Sequence, residues 1–118
     1  MSVQRVAEYL NIDLATRHWH CAVCNHDLGN AGSNYKEACL VAARDPREIH
    51  HPGVEAKNGF IGFAPDPAWC RIVEFYCPGC ATLMEVEYLP PGHPVTHDIA
   101  IDVDSLERRF GTGREEQA

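Results

Sequence analysis

Two short cysteine pairs constrain this chain more than any other feature. They read Cys21-Ala22-Val23-Cys24 and Cys77-Pro78-Gly79-Cys80. Each is a C-x-x-C knuckle, in which two intervening residues let the backbone fold back so that both sulfurs reach one ion at about 2.3 Å. Two knuckles supply four thiolates, the donor set of a tetrahedral structural zinc site, and the predicted ligands are Cys21, Cys24, Cys77 and Cys80. The second knuckle sits between two strand-like runs, Ile72 to Tyr76 and Thr82 to Tyr88, which is the layout of a zinc ribbon. The gap between the knuckles is longer than in compact ribbons, so the site ties together distant parts of the chain.

Two other uses of paired cysteines compete with this one. A redox pair of the thioredoxin kind would sit in a βαβ pattern, and none surrounds Cys77 and Cys80; their Pro-Gly core is also in the reverse order. A disulfide framework needs an oxidising compartment. Ser2 to Leu10 has no apolar core of a secretory leader, which places the chain in the cytoplasm, where thiols stay reduced. Six cysteines in 118 residues are also fewer than the roughly 8–10% of a disulfide scaffold.

A chain of 118 residues fits one domain: residues 1–110 as a single zinc-stapled unit and 111–118 as a disordered tail. Its core is modest, and a structural zinc adds on the order of 10 kcal/mol. No apolar run is long enough to cross a membrane. The formal net charge is −7, and residues 83–118 carry eight acidic against three basic side chains. Phosphate backbones call for clustered Lys and Arg, whereas Lys36, Arg44, Arg47, Lys57 and Arg71 are scattered among acids. No nucleic-acid partner is expected.

Local patterns give the rest of the fold. Val3, Val6, Ala7 and Leu10 recur at helical spacing behind Ser2. Arg17 to His20 reads as a short strand entering the first knuckle, and Asn25 to Gly32 as turns. Asn34 and Glu37 have capping-box spacing ahead of a helix through Cys39 and Ala42, which Asp45-Pro46 ends near Arg44. Glu48 to Trp69 is irregular, with Phe60, Ile61, Phe63 and Trp69 inside it; a loop of that length is usually functional or partner-bound, and these side chains either fold back onto the core or fill pockets on another subunit. Arg71 to Tyr76 and Thr82 to Tyr88 form an antiparallel hairpin tipped by the second knuckle. Ile99, Ile101 and Val103 alternate as a third strand, and Asp104 with Glu107 caps a last helical turn through Phe110. The predicted class is β-rich α+β: a small zinc-ribbon-like domain with an antiparallel hairpin, a third strand and short helices.

No catalytic or cofactor-binding residue stands out. His20 or His26 could replace a cysteine as ligand, but four well-spaced thiolates leave no need for either. A site closed by four cysteines has no open position for water, so the metal is structural. His50, His51, His93 and His97 read as surface or interface residues, Cys39 and Cys70 as small buried side chains. Gly59-Phe60-Ile61-Gly62 and Gly111-Thr112-Gly113 lack the strand–helix context of a phosphate loop.

Two stretches carry a family resemblance. Residues 74–87, Glu-Phe-Tyr-Cys-Pro-Gly-Cys-Ala-Thr-Leu-Met-Glu-Val-Glu, and residues 91–102, Pro-Gly-His-Pro-Val-Thr-His-Asp-Ile-Ala-Ile-Asp, resemble the small gamma subunit of the acetone carboxylase and acetophenone carboxylase family. The resemblance is closest over residues 70–104 and weaker over the first knuckle. It implies a zinc-binding, non-catalytic subunit of a cytoplasmic hetero-oligomeric ligase that joins bicarbonate to a ketone, giving a β-keto acid. It implies that ATP and any catalytic metal are held by two large partner subunits related to hydantoinases and oxoprolinases. Acetone-type gamma subunits are longer, which points to an aromatic ketone. A free-standing zinc-ribbon adaptor that binds another protein, and a thiol oxidoreductase using Cys77 and Cys80, are the alternatives from other classes.

Overall fold

The strand Arg71–Tyr76 is the spine of one half of the molecule. Its residues Ile72, Val73, Glu74 and Phe75 are all buried, which requires cover on both faces and both edges. The computed structural model describes residues 2–51, 53–57 and 59–110, and in it this strand is the centre of a three-stranded antiparallel sheet. Numbered in chain order, the strands are β1 (Val3–Ala7), β2 (Leu10–Asp13), β3 (His18–Cys21), β4 (Asp27–Asn30), β5 (Leu40–Arg44), β6 (Val54–Ala56), β7 (Gly59–Ile61), β8 (Arg71–Tyr76) and β9 (Leu83–Leu89). A 3₁₀ turn covers Tyr35–Ala38, and two short helices follow, α1 (Pro46–Ile49) and α2 (Val103–Phe110). The sheets are β1-β2-β3-β4, β5-β8-β9 and the separate hairpin β6-β7. The β-rich zinc-ribbon-like class with short helices is as expected, and so are the β8–β9 hairpin and the short strand before the first knuckle.

Several expectations fail, each for a physical reason; Asn25 to Gly32, read as turns, also contains the strand β4. The helix expected over Val3 to Leu10 is the β1–β2 hairpin. Leu10, Ile12 and Leu14 alternate and are buried, so the core claims a strand there, and the preceding segment pairs with it. A bulge between Arg5 and Ala7 shifts the strand's phase and leaves both Val6 and Ala7 half-buried, which mimics helical spacing. The helix expected through Cys39 and Ala42 is one 3₁₀ turn followed by β5. Asn34 does cap that turn, accepting from the Lys36 N–H at 3.2 Å. Leu40 to Arg44 then pair residue for residue with Tyr76 to Ile72, so the edge needed by β8 overrides the helical propensity of two alanines.

Asp45-Pro46 begins a helix instead of ending one. Asp45 accepts from the Arg47 N–H at 2.9 Å, and Pro46 occupies the first turn, where its missing N–H costs nothing. The third strand of the hairpin's sheet is β5, not Ile99 to Val103. Ile99 and Ile101 pack on the core without a ladder partner among the described residues, and Val103 already opens α2. The cap of that helix is Asp102, which accepts from Ser105 N–H at 3.1 Å; Asp104 pairs with Arg17 instead. The tail expected at 111–118 lies outside the described residues.

The larger core joins Leu10, Ile12, Leu14, Trp19, Leu28 and Tyr35 with Val103 from α2. Trp19 donates to the Ser33 carbonyl at 2.9 Å and meets Tyr35 edge to face. A smaller cluster holds Val73, Phe75 and Leu89. Lys36 links the two halves. Its side chain is fully buried, and Nζ lies 2.9 Å from Asp98, 3.1 Å from Glu87 and 3.2 Å from the Thr96 carbonyl, above the Phe75 ring. Asn34 donates to the same carbonyl. One ammonium thus moors the strandless segment at 96–98 to the sheet. Replacing it strands the nearly buried Glu87 carboxylate without its cation. Lys36→Met is therefore expected to lower stability by about 3–5 kcal/mol in urea unfolding; a loss below about 1 kcal/mol contradicts the mooring role.

Candidate metal centre

Each knuckle is built by the same three backbone devices. The N–H of the first cysteine donates to the carbonyl five residues on: Cys21 to His26 and Cys77 to Thr82, both at 2.9 Å. The residue after the second cysteine donates back to the first: Asn25 to the Cys21 carbonyl and Ala81 to the Cys77 carbonyl, both at 2.8 Å. The amide two residues past the first cysteine donates to its sulfur: Val23 to Cys21 Sγ at 3.4 Å and Gly79 to Cys77 Sγ at 3.3 Å. Closing the loop requires a left-handed residue after each pair, and Asn25 (φ 65°) and Ala81 (φ 63°) occupy that conformation. Asparagine tolerates it; alanine is strained there.

The two knuckles face each other, one at the end of β3 and one at the end of β8. The Sγ atoms of Cys21, Cys24, Cys77 and Cys80 all lie within 4.8 Å of one another. A tetrahedral ion with bonds of about 2.3 Å sets its ligands about 3.8 Å apart. The closest cross-knuckle pairs are Cys21–Cys80 at 3.8 Å and Cys24–Cys77 at 3.6 Å. The four sulfurs therefore fit one tetrahedral ion and can hold a metal. A two-thiol redox pair requires no such convergence.

Gly79 permits the approach. A Cβ there would stand 3.0 Å from His26 Nδ1 and 3.1 Å from Cys24 Sγ. Cys21 and Cys77 are buried within the main core, whereas Cys24 and Cys80 face outward. Each knuckle contributes one core sulfur and one surface sulfur.

The electrostatics suit a cation. Hydrogen bonds from the Thr82 hydroxyl and N–H draw the Cys80 thiol down to about 6. At Cys24 the His26 N–H favours the thiolate, but desolvation and the three facing sulfurs outweigh it and push the thiol up to about 12. Four thiolates cannot share this volume at neutral pH without a positive charge among them. Desolvation, with the charges of Cys77 and Cys21, lifts the Cys39 thiol to about 11 and keeps it protonated.

The histidines lie outside the sulfur cluster. His18 pairs with Asp27 at 2.9 Å, and His20 Nδ1 donates to the Asn25 carbonyl at 3.0 Å, steadying the first knuckle's turn. His26 contributes its carbonyl to Cys21 and its ring to the packing on Gly79. His50 bonds the Tyr88 hydroxyl at 2.6 Å. Sequence reasoning missed the two left-handed residues and the role of Gly79. The one available signal was that each follows or lies within a knuckle.

A small β-rich domain whose two cysteine knuckles converge on one point is zinc-ribbon-like in architecture. Residues 4–111 match the family described as acetone carboxylase gamma subunit, and the chain belongs to that family. It is 53% identical over 109 residues to the acetophenone carboxylase beta subunit of Aromatoleum aromaticum, covering 92% of this chain and 82% of the relative. It is 34% identical over 90 residues to the acetone carboxylase gamma subunit of Xanthobacter autotrophicus, covering 74% of this chain and about half (49%) of that relative. This is a small subunit of the acetone and acetophenone carboxylase family.

The strained residue offers a clean test of the knuckle geometry. Ala81→Gly is expected to raise stability by about 1 kcal/mol, because glycine adopts the left-handed conformation without the Cβ penalty. Asn25→Gly should change it by much less. Equal responses in thermal unfolding would contradict the geometry.

Proposed function

We propose that the chain is the structural, zinc-binding subunit of an ATP-dependent ketone carboxylase, a cytoplasmic hetero-oligomer that joins bicarbonate to a ketone and yields a β-keto acid. The single observation that carries this is the convergence of four cysteines from distant parts of a chain of this family. Cys21, Cys24, Cys77 and Cys80 hold the ion and fill all four positions, so the metal supplies a cross-link between β3 and β8 and leaves no site for water. Residues 1–110 act as one stapled unit. Large hydantoinase- and oxoprolinase-like subunits carry the ATP, the ketone and any catalytic metal, and this subunit supports their assembly. The greater identity to an acetophenone carboxylase subunit favours an aromatic ketone as the substrate of the complex. Among the described residues no helix is long and apolar enough to cross a membrane.

The decisive experiment is purification of the tagged chain from cells that make the whole enzyme. Two much larger chains should accompany it, and ketone-dependent ATP hydrolysis should appear in the complex and not in the isolated subunit. Arrival of the chain alone favours the free-standing adaptor, and ATP hydrolysis by the chain alone refutes the structural role. One zinc per wild-type chain is expected by elemental analysis. Cys77→Ser should lose that zinc, with a hairpin tip sensitive to protease, since binding and folding are coupled. Full zinc occupancy in the variant overturns the ligand assignment.

A further inference from the structure

The segment between α1 and β8 contains a two-stranded hairpin that pairs with no other strand among the described residues. In β6–β7, Val54 faces Ile61, Glu55 faces Phe60 and Ala56 faces Gly59. Such a hairpin is marginal by itself in water. Its apolar side chains are nevertheless turned outward: Phe60 is 66% exposed, Phe63 76% and Trp69 77%, with Val54 and Ile61 above half. Successive strand residues point to opposite faces, so Val54 and Ile61 share one face while Phe60 lies on the other. Beyond the strands, an Asp66 turn, with the Ala68 and Trp69 amides bonded to its side chain and carbonyl, presents the indole. At the hairpin's foot, Gly53 packs backbone to backbone; a Cβ there would stand 2.3 Å from the Ile61 carbonyl oxygen.

We infer that this hairpin is a docking arm, gripped on both faces by an apolar cleft of another subunit of the same carboxylase. The inference rests on the reading of this chain as a subunit. Two features select a cleft over a second copy of this chain. Apolar residues on opposite faces need a concave partner, because stacking two flat arms covers one face of each. The area argues the same way. At about 200 Å² per aromatic ring, the three exposed rings leave about 450 Å² in water. Two such arms stacked flat cover only one face of each, about half of that ring area, and so bury well under the roughly 1,000 Å² of a stable interface. A cleft that also covers the aliphatic side chains and backbone of the arm reaches it. The acidic chain, at −7, also opposes its own copy.

The test uses the intact complex, with the chain co-produced with the other carboxylase subunits. Phe60→Ala/Phe63→Ala is expected to weaken assembly about 30-fold or more. Its zinc content and the melting temperature of the free chain should stay near wild type, since the lost rings touch little of their own fold. Val41→Ala, at an exposed apolar residue of β5, should assemble normally. Hydrogen exchange at 54–57 and 59–69 should slow on assembly. Unchanged affinity of the double variant, or exchange that stays fast in the complex, overturns the arm while leaving the subunit reading intact. A large drop in melting temperature with unchanged affinity makes the rings core residues and overturns it too. Dimerisation of the free wild-type chain that the double variant abolishes assigns the arm to a second copy. Failure of any large chain to co-purify with wild type sinks the subunit reading and the arm together.

Discussion

Four sulfur atoms crowded within 4.8 Å of one another are the constraint from which the rest of this structure follows. Ionised, they repel; protonated, they leave polarisable groups poorly matched in a packed interior. A cation among them resolves both problems. The geometry around them is built for that outcome. Six backbone bonds, repeated knuckle by knuckle, fix the sulfur positions, and two of them donate directly to Cys21 and Cys77. Those same two cysteines belong to the main apolar core, so the site is continuous with the packing of Trp19 and Leu28. The sulfur cluster, with Lys36, joins two sheets that share no strand.

How much of this was legible depended on whether a signal was local. The knuckles and the β8–β9 hairpin were readable because spacing and alternation lie within a few residues of each other. The four ligand candidates meet as their pattern implied. The first strand was misread because a bulge at Val6 imitates helical periodicity. The alanines of β5 were misread because only β8, some thirty residues away, tells them to extend. Ile99 and Ile101 do face the core, as their alternation suggested, but what fixes them is an ammonium group from Lys36 reaching Thr96 and Asp98. No pattern within residues 96–103 announces a lysine sixty positions earlier. In the site, Ala81 was invisible because alanine carries no mark of a left-handed backbone.

The buried lysine and the sulfur cluster solve the same problem at two scales. A small chain with a modest core must hold irregular segments in place, and both devices do so with charge shielded from water. Lys36 gathers a carbonyl and two carboxylates around one cation supplied by the protein itself. The cysteines gather four sulfurs that can hold a cation supplied from outside. The two belong to one structure: Lys36 begins in the 3₁₀ turn after β4, and its partner Glu87 lies on β9, which follows the second knuckle.

The distance along the chain between the facing sulfurs sets an order of events during folding. Cys24 and Cys77 are 53 residues apart, and Cys21 and Cys80 are 59. Closing such a loop costs about 3.5 kcal/mol of chain entropy beyond a constant. The strand pairings of β1-β2-β3-β4 all lie within residues 3–30 and form from neighbouring hairpins, while the core beneath them is completed later by Tyr35, Cys77 and Val103. The sheet β5-β8-β9 cannot begin until Arg71 onward is available. At about 5–20 residues per second of synthesis, the first knuckle waits several seconds as a bare dithiol on a finished sheet. The molecule has an early half and a late half, and the first knuckle is available well before the second exists.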